Sequence, residues 1–241
     1  MLTATNVTKR FGGLVAVDGV DFSIGEEEIV GLIGPNGAGK TTLFNTITGV
    51  HPPNEGSIDF DGEELVGKTP NQVAQRGVAR TFQAVRTFNE STVLENVLTG
   101  AVFGNSESVS MNEAEDRARD ALEFVGLDGL ESEEAGSLTI ADRKQLELAK
   151  GLSAQPELIL VDEIGAGLTP KEIDEITQTI ERARDERGVS VFWIEHIMEA
   201  IMSVTDRIIV LNRGEKIADG TPEEIRSNEA VTQAYLGEVE S

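Results

Sequence analysis

Gly34-Pro35-Asn36-Gly37-Ala38-Gly39-Lys40-Thr41-Thr42 lies between the apolar run Ile29-Val30-Gly31-Leu32-Ile33 and a helix-like stretch from Leu43 to Ile47. It completes the pattern G-x-x-x-x-G-K-[ST], in the strand, loop and helix order that gives the pattern its meaning. The glycines let successive backbone N–H groups turn inward around an anion, where a Cβ would block the turn or the anion. The helix that follows points its positive N-terminal end at the same charge. Lys40 supplies a point charge to β- and γ-phosphates, and the Thr41 hydroxyl is suited to coordinate magnesium. The stretch reads as a nucleoside-triphosphate site.

Upstream, Asn6 to Phe11, the Gly12-Gly13 turn, Val15 to Val20 and Phe22 to Ile24 alternate apolar and polar residues, as a small antiparallel sheet does. Gly56 to Phe60 with its Asp61-Gly62 turn predicts a further hairpin, and Val78 to Phe82 a short strand. From about Val85 to Gly151 the periodicity is helical: Leu94, Val97 and Leu98 share one face. Ala114, Ala118, Ala121, Leu122 and Val125 share another, ended by Gly126. Gly104 to Ser110 is a polar loop between them. Strand-like runs resume at Leu158 to Val161, Val189 to Ile194 and Arg207 to Leu211. They alternate with helices around Lys171 to Arg187 and Ile197 to Val204, which implies a parallel sheet with flanking helices. The expected architecture is α/β and one domain over 1–241. A catalytic lobe from 1–84 and 152–241, with an N-terminal antiparallel β subdomain, carries an inserted helical lobe at 85–151.

The chain has 241 residues, 39% of them hydrophobic, enough for a buried core. No apolar stretch is long enough to cross a bilayer, and Met1 to Phe11 lacks the apolar region of a signal peptide. Cysteine is absent, which excludes disulfides and thiol chemistry. An ATP-binding chain of this kind is expected in the cytoplasm. The 43 acidic residues outnumber the 20 basic ones, for a net charge of -23. Such a surface repels phosphate backbones and argues against nucleic-acid partners. A plain solvated acidic face is one reading of this charge. A halophilic source is the sharper one, since at molar salt the Debye length falls to about 3 Å and self-repulsion is tolerated.

Leu158-Ile159-Leu160-Val161 runs straight into Asp162-Glu163. A strand buried on both faces looks like this, and ligands sit at the carboxyl ends of such strands. Asp162 is placed to hold magnesium, directly or through water, and Glu163 to polarise or deprotonate an attacking water. Gln83 follows the strand at Val78 to Phe82. His196 follows Trp193-Ile194-Glu195 at another strand end.

In this order the chain resembles the ATP-binding subunit of ATP-binding-cassette (ABC) transporters over essentially its whole length. Phe11, the phosphate loop, Gln83, a helical lobe with a signature segment, Asp162-Glu163 and His196 carry the resemblance. Phe11-Gly12-Gly13-Leu14, Ala79-Arg80-Thr81-Phe82-Gln83, Ala166-Gly167-Leu168, Gly220-Thr221-Pro222 and Ala234-Tyr235-Leu236-Gly237 look like the branched-chain amino acid importer branch. The resemblance implies a P-loop nucleotide hydrolase of ABC ATPase type that uses ATP and Mg2+. Two chains, alike or different, would sandwich ATP and act on integral membrane permease subunits at the cytoplasmic face of the membrane. A substrate-binding protein would act through those subunits. By the same resemblance Phe11 stacks on adenine, and Gln83 contacts the metal or the attacking water. His196 hydrogen-bonds the γ-phosphate, and Leu138-Thr139-Ile140-Ala141-Asp142 closes over the partner's nucleotide.

That last segment departs from the family's Leu-Ser-Gly-Gly-Gln. Thr139 keeps a hydroxyl, and Thr139 with Asp142 forms a plausible N-terminal cap pair. Ile140 and Ala141 replace both glycines, and Asp142 adds a negative charge unless Arg143 or Lys144 offsets it. Ile164 stands where proline commonly follows the glutamate, and Thr169 where aspartate commonly ends the next loop. A soluble ABC-type ATPase and a P-loop kinase are the alternative classes.

Overall fold

The computed structural model describes residues 1–81, 87–104 and 109–236. Gln83, Phe82 and Val85, residues 105–108 of the stretch read as a polar loop, and the C-terminal residues from Gly237 onward lie outside them. In chain order the strands and helices begin with β1 Leu2–Phe11, β2 Leu14–Ile24, β3 Ile29–Ile33 and α1 Lys40–Ile47. Next come β4 Glu55–Phe60, β5 Glu63–Glu64, α2 Pro70–Ala74, β6 Val78–Arg80, α3 Val93–Phe103 and α4 Met111–Phe124. A 3-10 turn at Ala135–Ser137 leads into α5 Ile140–Leu152, β7 Leu158–Asp162 and α6 Pro170–Arg187. The chain closes with β8 Ser190–Ile194, α7 Met198–Val204, β9 Arg207–Asn212, β10 Glu215–Gly220, α8 Pro222–Arg226 and α9 Glu229–Leu236.

Packing divides the chain into two units, one of residues 1–70 with 190–241, the other of residues 71–189. In the first unit β2-β1-β4-β5 form an antiparallel sheet. β1 alternates buried and exposed residues at its start, the signature of a strand with one wet face. A second group runs in the order β10-β9-β3-β8, with β3 parallel to both β9 and β8. β3 and β8 are buried at every position, so their sequences are continuous apolar runs rather than alternating ones. Phe192 of β8 meets Phe22 of β2 at 5.4 Å and Phe44 of α1 at 5.0 Å, ring centroid to centroid. These rings join both strand groups to α1 in one core.

The second unit pairs β6 with β7 in parallel and packs α3, α4 and α5 through Val97, Ala101, Ala114, Ala118, Ala121, Leu146 and Ala149. Ala114, Ala118 and Ala121 come from the apolar face that the periodicity of α4 predicts. Arg182 and Arg187 of α6 lie 4.4 and 4.0 Å from the ring centre of Phe124, fastening the end of α4 to α6 by cation–π contact. Thr169 and Glu172 form a capping box at the start of α6, and Gly188 ends it in the left-handed conformation. β10, α8 and α9 are elements the sequence reading did not anticipate. Their short segments carry too little periodicity to announce themselves.

Candidate functional site

In the first unit the phosphate loop joins β3 to α1. Gly34 and Gly39 have φ of 151° and 106°. A Cβ on Gly34 would strike the carbonyl of Leu211, and one on Gly39 the carbonyl of Ala16. Glycine is therefore required twice over, by conformation and by the close approach of β9 and β2. The turn after β9 ties these walls together: Gly214 N–H donates to Ala38 O at 2.9 Å, and Asp18 N–H to Gly214 O at 2.9 Å. Lys40 is 5% exposed, and its Nζ donates to Gly34 O at 2.6 Å and Pro35 O at 3.1 Å. The ammonium thus spans the loop from inside and holds it in a ring. Pro35 and Ala38 are buried, Asn36, Gly37 and Thr41 exposed, and Thr42 half-buried.

The helix caps separate this loop from ordinary turns. Thr92, Ser110, Thr139, Thr169 and Thr221 each accept from a first-turn N–H of the helix they precede. Gly39 before α1 and Ile197 before α7 offer no side-chain cap. The start of α1, behind a lysine and a glycine loop, thus has no side-chain oxygen at its cap and is suited to an anion. His196 stands just ahead of α7, is exposed, and its backbone N–H donates to Glu195 Oε1 at 2.9 Å. Leu32 pairs with Ile194 in the parallel register, so the phosphate loop and His196 leave neighbouring strands at the same carboxyl edge. Phe11 is 44% exposed, so its ring is a surface platform rather than core. His51 stands nearly perpendicular to it at 5.5 Å, and Lys9 Nζ lies 5.2 Å from its centre.

The second unit holds Asp162, Glu163 and the segment from Leu138 to Asp142. Asp162 ends β7 and is 3% exposed. Its Oδ2 accepts from Arg80 Nη2 at 2.7 Å, while its buried Oδ1 has no hydrogen-bond partner among the described residues. Glu163 follows with φ 47°, a left-handed conformation that is strained for a residue with a Cβ. Ile164 is buried. Leu138 is buried and precedes α5, whose cap is Thr139. Thr139 Oγ1 accepts from Asp142 N–H at 3.1 Å and donates to Asp142 Oδ2 at 2.6 Å, the expected cap pair. Ile140 is 60% exposed and Ala141 half-buried. Arg143 donates to Gly136 O at 2.6 Å and Leu138 O at 3.2 Å, so its fork is spent on backbone carbonyls.

Each unit carries an oxygen donor of the hard kind that magnesium takes. In the second it is the buried Asp162 Oδ1, without a hydrogen-bond partner among the described residues, and in the first the hydroxyl of the exposed Thr41. No cluster of three or more His, Cys, Asp or Glu among the described residues forms a self-sufficient cage. Mg2+ is held in this way by one or two protein oxygens completed by phosphate and water.

A family model described as ABC transporter matches residues 17–166, which span the phosphate loop, the Leu138 segment and Asp162-Glu163. The chain belongs to the ABC transporter ATP-binding family. It is an α/β P-loop ATPase that binds and hydrolyses ATP as a transporter subunit. A second model, described as branched-chain amino acid ATP-binding cassette transporter, matches residues 215–241. The chain is 42% identical to the high-affinity branched-chain amino acid transport ATP-binding protein BraF of Pseudomonas aeruginosa, over 99% of this chain and 98% of that one. It is 43% identical to LivG of Escherichia coli, of the same description, with the same coverage. A crystal structure of an ATP-binding cassette of an ABC transporter in its ADP conformation superimposes with a TM-score of 0.90. That structure is 30% identical, with 98% of each chain covered. Among the described residues no helix is long and apolar enough to cross a membrane.

Two contributors were missed in the sequence. Arg80 sits within a quoted segment, yet nothing in its spacing announces that it meets Asp162, 82 positions away. His51 reaches Phe11 only because β1 and the segment after α1 fold together.

Proposed function

We propose that this chain is the ATP-hydrolysing subunit of an importer for branched-chain or related amino acids. The observation that carries the reading is its 42–43% identity, over nearly the full length, to transport ATPases of that description. The match of a branched-chain transporter model to residues 215–241 supports it from a segment outside the nucleotide motifs. Two such subunits, identical or not, close over ATP and act on integral membrane permease subunits, through which a substrate-binding protein communicates. The chain then sits peripherally on the cytoplasmic face of the membrane.

The phosphate loop from Gly34 to Thr42 binds the triphosphate, with Lys40 released from Gly34 O and Pro35 O to meet phosphate oxygens. Thr41 and Asp162 hold Mg2+, which when bound neutralises developing charge on the phosphates. Glu163 orients and deprotonates the water, His196 hydrogen-bonds the γ-phosphate, and Gln83 serves the metal or the water. Phe11 carries the adenine. The segment Leu138 to Asp142 faces the partner's nucleotide, which accounts for an isoleucine left in solvent at Ile140. Residues 85–151 act as the helical lobe within a single cassette, and the net charge of -23 reflects a source rich in salt.

The test is purification with the native membrane subunits and reconstitution in vesicles. Binding proteins loaded with leucine, isoleucine or valine should stimulate ATP hydrolysis. Stimulation by urea or short amides alone would reassign the cargo.

A further inference from the structure

Arg80 closes β6 and Asp162 closes β7, and these strands lie side by side in parallel, with Arg80 in register with Leu160. The ion pair between them is buried, the two side chains being 8% and 4% exposed. The backbone fixes both ends as well: Thr81 N–H donates to Leu160 O at 2.9 Å, and Asp162 N–H to Thr81 Oγ1 at 3.3 Å. The asymmetry of the carboxylate is informative. Burying two charges is justified structurally when the arginine fork grips both oxygens and every lone pair is met. Here the contact to Asp162 is made at Oδ2, and Oδ1 stays buried without a hydrogen-bond partner among the described residues. An oxygen left without a hydrogen bond at the carboxyl end of β7 is what a metal ligand requires.

We propose that Arg80 is a positioning residue for magnesium, immobilising Asp162 through Oδ2 so that Oδ1 is held ready as the ligand oxygen. The inference rests on the reading of Asp162 as the metal-binding carboxylate. Magnesium demands near-ideal octahedral geometry and gives up water reluctantly, so a carboxylate free to rotate is a poor ligand for it. The guanidinium also opposes the metal's charge. Orientation and repulsion therefore act in opposite directions, and the experiment separates them. If repulsion dominated, removing Arg80 would tighten metal binding; if orientation dominates, removal weakens it. Partners in the second layer of metal sites set affinity by about 10- to 100-fold, which favours orientation.

The experiment measures binding of a fluorescent, non-hydrolysable ATP analogue to the full chain against rising Mg2+, with Mn2+ followed in parallel by electron paramagnetic resonance. Arg80→Met should bind the analogue in EDTA as wild type does. The Mg2+ concentration for half-maximal metal-dependent binding should rise about 10- to 100-fold, and the bound Mn2+ signal should weaken to match. Arg80→Lys keeps the charge and loses the planar fork, so it should fall between the two. If Arg80→Met does not fold, as judged by circular dichroism, Arg80→Lys carries the test, because its buried carboxylate remains paired. Metal dependence that is unchanged or tightened in a folded variant overturns the proposal. Asp162→Asn is the control: metal dependence surviving that change would refute the role of Asp162 itself, whatever Arg80 does.

Discussion

Thr139 and Asp142 lock to each other at the start of α5, hydroxyl to carboxylate at 2.6 Å and backbone N–H to hydroxyl at 3.1 Å. Under the proposed function this helix start faces the partner's nucleotide. Here it already carries an anion of its own, with its positive end partly answered from within the chain. Arg143, the nearest basic residue in sequence, is turned to the carbonyls of Gly136 and Leu138.

Relieving that internal anion should therefore strengthen closure. In a Glu163→Gln background, Asp142→Asn is expected to tighten ATP-dependent dimerisation about fivefold, the equivalent of about 1 kcal/mol from one charge near a helix end. Sedimentation with and without Mg·ATP measures it. A dimer that weakens on losing the carboxylate would mean that Asp142 contributes a contact rather than a repulsion.

Glu163 combines a catalytic assignment with a strained backbone at φ 47°. Glu163→Gln should retain ATP binding and lose hydrolysis by about 10²- to 10⁴-fold, the scale of a positioned general base. Glu163→Gly should be equally inactive, yet within about 1 kcal/mol of wild-type stability or above it, because glycine accepts left-handed φ. Wild-type turnover by the glutamine variant would remove Glu163 from its role.

The loop glycines should not be equivalent. Gly39→Ala forces a Cβ onto the Ala16 carbonyl and is expected to cost about 3 kcal/mol and nucleotide binding. Gly37→Ala meets no atom within 4 Å and should cost about 1 kcal/mol, for its φ of 74° alone. Urea unfolding followed by Trp193, the single tryptophan and 1% exposed, reads both. Equal losses would show that contact with β2 does not constrain the loop.

Salt should stabilise this protein. With a net charge of -23, raising KCl from about 0.1 M to about 1 M shortens the Debye length from about 10 Å to about 3 Å. An increment of about 2 kcal/mol would lift the melting temperature by about 4–8 °C for a chain of this size. A flat or falling melting temperature would count against the halophilic reading.

Much of the site was legible because its parts are local. The phosphate loop needs only neighbouring backbone N–H groups, a lysine at the first position of α1 and glycines at set intervals. The cap of α5 needs only Thr139 and Asp142, three positions apart, and β7 is announced by an unbroken apolar run into Asp162. Side-chain period and backbone sterics are written in consecutive residues, so those features could be read in one dimension. The loop at 34–42, the alternation of strands and helices, and the acid pair at 162–163 were determined by the sequence alone. The tertiary structure decided what depends on distant segments meeting. It puts the Ala16 and Leu211 carbonyls against the loop, His51 against Phe11, and Arg80 on one oxygen of Asp162. Burial and strand register create those contacts, and neither is a property of any short stretch of chain.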